Sequence, residues 1–100
     1  MSNNSMRLEK QCHAIGNQVR IRLLQNLSKG PACGSDLSKK LKLPEPTISH
    51  HMHILMEAGL VGSYRVKRHK YFTLTVSEVD RLVGTIKGFH IPNQEPEDAA

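Results

Sequence analysis

The chain has no tryptophan and only four aromatic residues in 100. A core built without large aromatic side chains is thin, and a domain of this size buries only about two-thirds of its extended surface. A second copy sharing that core would ease the shortage. Cysteine is scarce too. Cys12 and Cys33 are the only two, which excludes a disulfide framework and a four-cysteine zinc site. No apolar run approaches the about 18 residues of a membrane span, and the first ten residues are polar. A reducing, cytoplasmic setting without membrane contact is therefore expected. There is no Gly-rich phosphate loop, no Ser/His/Asp order and no carboxylate pair placed for a cleft, so the sequence does not read as an enzyme.

Acid is in short supply as well. Fourteen Lys and Arg stand against nine Asp and Glu, for a net charge of +5. Three of those nine acids, Glu95, Glu97 and Asp98, fall in the last six residues, so the rest of the chain sets fourteen cations against six acids. A basic body of this size suggests a polyanionic partner, most often nucleic acid. At 38% hydrophobic and 23% charged residues, the chain is too apolar for disorder. Its length fits one domain, expected over residues 6–91, after a disordered start at 1–5 and before a flexible acidic tail at 92–100.

Periodicity supplies the elements. Met6, Leu8, Cys12 and Ile15 recur at loose helical spacing. After the Gly16-Asn17 break, Asn17 caps a second helix with Val19, Leu23, Leu24 and Leu27 on its apolar face and Arg20 on the opposite one. Lys29-Gly30-Pro31 ends it. A short third helix follows, from Cys33 or Ser35 to Leu41, with Leu37 and Leu41 inward and Lys39, Lys40 and Lys42 outward. A fourth spans 45–58, with Ile48, Met52, Leu55 and Met56 as its buried face and Gly59 as the glycine that ends it. The period then shortens. Two strands, 61–66 and 70–75, form a hairpin around a basic turn. Ser77 is read as the cap of a last helix, with Asp80 completing a capping box. Val79, Leu82, Val83, Ile86 and Phe89 make its stripe, and Pro92 stops it.

The order is therefore helix, helix, helix, helix, hairpin, helix. The fold class is mainly α with a β-hairpin wing, a winged helix-turn-helix (ααααββα), expected as a dimer. Seven cations and two acids lie between Lys39 and Lys70, so this segment carries the whole formal charge. Lys39, Lys40, Arg65, Lys67, Arg68 and Lys70 are the candidate phosphate contacts. Thr47, Ser49, His50 and His53 are exposed donors and acceptors on the fourth helix, suited to base edges in the major groove of double-stranded DNA. His51 is read as a partly buried packing residue. His50 and His53 share a face at i, i+3, a spacing that can also hold a metal, but only Glu57 stands near as a third ligand.

The run Leu43-Pro44-Glu45-Pro46-Thr47-Ile48-Ser49-His50-His51-Met52-His53-Ile54-Leu55-Met56-Glu57-Ala58-Gly59-Leu60-Val61 resembles the recognition-helix signature of the ArsR/SmtB family of winged-helix repressors. Ala14-Ile15-Gly16-Asn17-Gln18-Val19-Arg20-Ile21-Arg22-Leu23-Leu24 is similar to a second stretch of that family. Cys33-Gly34-Ser35-Asp36-Leu37 falls where many members carry a Cys-x-Cys-Asp-Leu metal box. The resemblance covers residues 8 to 90. It implies a homodimer paired through the first and last helices, two recognition helices in successive major grooves of an imperfect palindrome, and repression relieved by an inducer. Two features depart from the family pattern. Pro44 stands where a Ser or Thr usually caps the recognition helix, and Lys67-Arg68 replaces the usual glycine of the wing turn.

What the chain senses is left open between three readings. Cys12 and Cys33 form a candidate site for a thiophilic metal or metalloid ion, which favours two or three thiolates, whereas the box here has Ser35 at its second position. Cys33 at a helix start is alternatively an oxidisable thiol. On the third reading both cysteines simply pack as small side chains, and no cofactor is assigned. The family's other metal site, on the last helix, lacks its ligands: Leu82 follows Asp80 at i+2, and His90 stands alone. The alternative function is a winged-helix module that binds protein independently of metal. The four cations at the hairpin tip speak against it.

Overall fold

The computed structural model describes residues 2–89. The elements are α1 (Ser2–Ile15), α2 (Gln18–Leu27), β1 (Ala32–Cys33), α3 (Gly34–Leu41), α4 (Glu45–Glu57), β2 (Val61–Val66), β3 (His69–Leu74) and α5 (Val76–Lys87). The three strands form one antiparallel sheet in the order β1-β3-β2. This is the winged helix-turn-helix architecture expected from the order of periods. Pro92, His90 and the acidic tail lie outside the described residues.

The core is aliphatic, as the shortage of aromatics requires. Leu23, Leu37, Ile48, Met52, Leu55 and Leu60 are its largest fully buried side chains, and Phe72 on β3 is its one aromatic ring. Each helix gives one stripe at i, i+3, i+4 or i+7 spacing, so α2, α3 and α4 close around a single seam. The end of α4 is fixed by its turn. Gly59 has φ +80°, its N–H donates to the Met56 carbonyl at 2.9 Å, and the Leu60 N–H donates to the Leu55 carbonyl at 3.0 Å. Those two bonds are the Schellman pattern, which favours glycine at the left-handed position.

Several local expectations change. Arg20 does not face outward on α2. It is 6% exposed and lies on the buried stripe with Leu23 and Leu27. Its Nε donates to the Ala14 carbonyl at 2.6 Å, Nη2 to the His13 carbonyl at 3.4 Å, and Nη1 to His51 Nδ1 at 3.1 Å. The two carbonyls belong to the last turn of α1, where unpaired acceptors and the negative end of the helix dipole favour a cation. Among the described residues no carboxylate pairs with Arg20. Cys12 is exposed rather than part of the α1 stripe. The inward face keeps Leu8 and Ile15 and takes Gln11 and Ala14 in place of Cys12, and Met6 is also exposed.

Ser77 does not cap α5. The N-cap is Thr75, without a side-chain cap bond. The Thr75 N–H donates to the Leu60 carbonyl at 2.9 Å, and its own carbonyl accepts from Glu78 and Val79. The chain thus turns into the helix at the end of the hairpin, two residues before the serine. Strand β1 is an addition. Ala32 and Cys33 pair with Phe72 and Tyr71, but two residues between Pro31 and Gly34 carry no readable period. Asn17 does cap α2, its Oδ1 accepting from the N–H groups of Val19 and Arg20 at 2.9 and 3.1 Å.

Two predictions follow from Arg20. A guanidinium has donors only, so His51 must accept at Nδ1 and carry its proton on Nε2. Burial, then the Arg20 charge, then His50 hold the His51 pKa below its ordinary value. The neutral ring's stabilising contribution is therefore complete above the unfolded value of about 6.5 and is lost as pH falls through the lower folded value. His51→Asn, which retains an acceptor and cannot titrate, should flatten the fall in urea midpoint between about pH 7.5 and pH 5. An identical slope in both proteins would remove His51 from the account. Separately, Arg20→Met should cost about 2 to 3 kcal/mol in denaturant unfolding, by stranding two carbonyls and a ring nitrogen. Arg20→Lys should recover little of it, because one ammonium cannot reach all three acceptors.

Candidate nucleic-acid interface

Helices α3 and α4 are joined by Lys42-Leu43-Pro44. Lys42 adopts a left-handed conformation, φ 58° and ψ 46°, and its N–H donates to the Ser38 carbonyl. Ser38 also holds the turn from its other side, its Oγ donating to the Leu43 carbonyl while its own carbonyl accepts from the Leu43 N–H. The turn is thus fixed by one serine. Pro44 is the N-cap of α4 and makes no side-chain cap bond, as expected. Its carbonyl accepts instead from the N–H groups of Thr47 and Ile48. A proline in the first turn of α4 is tolerated because N–H groups there have no helical partner.

Burying Ile48, Met52 and Leu55 turns the other side of α4 to solvent. Ser49, His50 and His53 are exposed there, and Thr47 is half-buried. His53 Nε2 lies 3.3 Å from Glu57 Oε2 one turn on. The His50 and His51 rings meet edge to face at 5.4 Å between centroids, so half-buried His51 sits between the Arg20 guanidinium and the exposed ring of His50. Among the described residues no group of three or more His, Cys, Asp or Glu side chains is gathered as metal ligands.

The hairpin carries the densest charge. Tyr64 pairs with Tyr71, Arg65 with Lys70 and Val66 with His69, leaving Lys67 and Arg68 as a two-residue turn. Lys67 has φ 57°, the positive value that glycine usually supplies in such turns. The tyrosines stack at 5.7 Å between centroids with 13° between planes, which stiffens the ladder below the tip. Residues 64–70 are all exposed. On the opposite face, Arg65 and Lys70 stand side by side, with the Lys70 ammonium 5.6 Å from the Phe72 ring centroid. Cross-strand like charges repel, and with no acid at the tip to relieve them they leave this end strongly cationic.

Five of the candidate DNA contacts border two separate hollows, and Thr47, His50, His53, Arg65 and Lys67 line neither. Ser49 on α4 and Arg68 and Lys70 on the hairpin border one crevice of about 390 Å³, together with Glu45, Cys33 and Ser35. Lys39 and Lys40 line a different hollow of about 560 Å³, with Lys29 and Tyr71. The two cysteines differ. Cys12 is exposed on α1, and Cys33 is buried as the N-cap of α3 with its Sγ 3.3 Å from Ser35 Oγ. Both are free thiols. Residues that periodicity did not single out are Lys29 beside the second hollow, and Gln11 and Arg20 behind α4. No helix among the described residues is long and apolar enough to cross a membrane.

Comparison with known proteins agrees with this arrangement. Residues 17–63, from the cap of α2 to the start of the hairpin, match the family described as bacterial regulatory protein, arsR family. An uncharacterised HTH-type transcriptional regulator of Methanocaldococcus jannaschii is 31% identical over 71 residues, covering 70% of this chain and 80% of that protein. A transcriptional repressor SmtB homolog of Synechocystis is 33% identical over 69 residues, covering 69% of this chain and about half, 52%, of the relative. Among solved structures, a homodimeric winged helix-turn-helix DNA-binding domain from Mycobacterium bovis, described as a possible ArsR-family regulator, superposes with a TM-score of 0.76 at 19% identity. It covers 88% of this chain and 82% of that one. With the helix-turn-helix, the cationic wing and these matches together, the chain belongs to the ArsR/SmtB family of winged helix-turn-helix transcriptional regulators.

Proposed function

We propose that the protein is a homodimeric repressor that binds a palindromic operator, with α4 in the major groove and the hairpin along the flanking backbone. The observation that carries this reading is the pairing of a short polar face with a cationic rim. Thr47, Ser49, His50 and His53 offer hydrogen-bonding groups near the surface of α4, Arg68 and Lys70 of the hairpin border a crevice with its Ser49, and Arg65 and Lys67 are exposed on the same hairpin. Short side chains allow a helix to approach base edges, and cations on a flanking hairpin neutralise phosphates. Lys39 and Lys40 serve a second stretch of backbone.

Dimerisation is supported by α5. Val76, Val83, Ile86 and Phe89 are exposed, Phe89 at 64%, and Met6 of α1 is exposed as well. Only Leu82 of the α5 stripe is buried in the single chain, with Val79 half-buried. Exposed apolar side chains at helical spacing are suited to an isologous contact with a second copy.

Affinity for the selected operator should fall steeply with salt. Removing one phosphate contact with Arg68→Ala should lower the log-log slope by about 0.9 and weaken all sequences alike. Ser49→Ala or His50→Ala should instead change sequence preference, by about 1 to 3 kcal/mol at one base pair. An affinity flat between low and moderate salt would favour the protein-binding alternative. Fluorescence anisotropy on labelled duplexes reads all of these.

A second reading concerns release. Cys33 borders the same crevice as Ser49 and Arg68, so a thiophilic metal or metalloid ion, or oxidation at this thiol, would add bulk and charge within the DNA-facing cleft. On this reading Cys33→Ser binds operator as the parent does and no longer lets go when As(III), Zn(II) or peroxide is added. Release retained in Cys33→Ser excludes that thiol, and release lost in Cys12→Ser as well assigns a shared site.

A further inference from the structure

Gln11 is an amide where helical spacing calls for an apolar side chain. It is 3% exposed on α1, in the stripe with Leu8, Ala14 and Ile15. Its Nε2 donates to the Ala58 carbonyl at 3.1 Å and to Glu78 Oε1 at 3.0 Å. Both partners are acceptors, so the amide has one orientation: rotating it by half a turn would set its oxygen against two oxygens.

The first partner closes a gap at the end of α4. The Schellman turn there uses the Leu55 and Met56 carbonyls, and Ala58 is the C-cap, whose carbonyl the turn leaves over. The second partner lies in the first turn of α5, and its other carboxylate oxygen faces Arg7 and Arg81, each at 3.8 Å. One buried side chain therefore ties the C-cap of α4 to α1 and α5, the two helices to which the dimer contact is assigned above. An aliphatic side chain would fill the same space without fixing direction.

We propose that Gln11 is a positioning residue for operator reading: it sets the angle of α4 against the α1–α5 platform, and through it the distance between the two reading helices of a dimer. This rests on the dimeric reading above. Half-sites about one helical turn apart must be met by both helices at once, and any tilt of α4 within one subunit is doubled across the two-fold. Gln11 touches no base or phosphate in this geometry, so its loss should leave the reading of a single half-site intact and relax the spacing between two.

The test uses the full chain and an operator selected from random duplexes. Binding is measured to the selected duplex, to versions with spacers one and two base pairs longer and shorter, and to a single half-site. Gln11→Met should dimerise like the parent and bind the half-site within about twofold, but lose about tenfold on the selected spacing and discriminate little among spacings. Glu78→Gln keeps an acceptor for Gln11 and should retain the parental spacing profile. If Gln11→Met does not fold, Glu78→Leu is read in its place. It removes one of the two acceptors at a half-buried position and should flatten the profile in part. An unchanged spacing profile in the variant read, or an equal loss on half-site and full site, overturns the proposal. A parent chain that selects only single half-sites, or no sequence, overturns the dimeric reading and this inference with it.

Discussion

The buried Arg20 guanidinium is the constraint on which the position of α4 depends. It reaches the last carbonyls of α1 and the ring of His51 on α4 from the middle of the core stripe of α2. A charge in that place is costly unless its donors are used. Here they face two carbonyls at a negative helix end and an unprotonated ring nitrogen. The same contacts that make the charge tolerable fix three helices relative to one another. Leucine there would pack against Leu23 and Leu27 and leave α4 free to slide along them.

The middle and the C-terminal end of α4 are thus held by different means. Its midpoint is tied through His51 to Arg20, and its C-cap through the Ala58 carbonyl to Gln11. Along the same helix, Ile48, Met52 and Leu55 fill the seam. Hydrophobic burial supplies the attraction but little direction. The polar pins supply direction at two points, which determine the axis of a rigid rod. A core of aliphatic side chains, with Phe72 as its one buried ring, leaves orientation to hydrogen bonds to an unusual degree.

The sequence made the helix-turn-helix and the hairpin legible because each carried a sustained period and clear punctuation. Asn17, Pro44 and Gly59 stood where caps and stops belong, and Tyr64, Val66, Tyr71 and Phe72 flanked an obvious turn. The cationic residues were legible as a cluster in the chain, and folding sets Lys39 and Lys40 in one hollow and Arg68 and Lys70 in another. What escaped was polar and buried. Periodicity counts apolar residues, so it assigned α1 to Cys12 and Met6 rather than to Gln11, and put Arg20 outside. Only contacts between residues six to sixty-seven positions apart reveal those two side chains. Ser77 misled because a good capping residue followed a strand whose ladder had already fixed the turn at Thr75. Strand β1 is too short for any period.

Lys42 and Lys67 are the two non-glycine residues with positive φ among the described residues. One stands just ahead of α4 and the other at the hairpin tip. A left-handed backbone disfavours any residue with a Cβ by about 1 to 2 kcal/mol, so glycine would be the more comfortable occupant of both. Selection for a sturdier fold and selection for positive charge therefore pull in opposite directions at these two sites. Redesign guided by stability alone would place glycine at each and strip two ammonium groups from the cationic side. The robustness this domain can reach is capped by the charge it keeps.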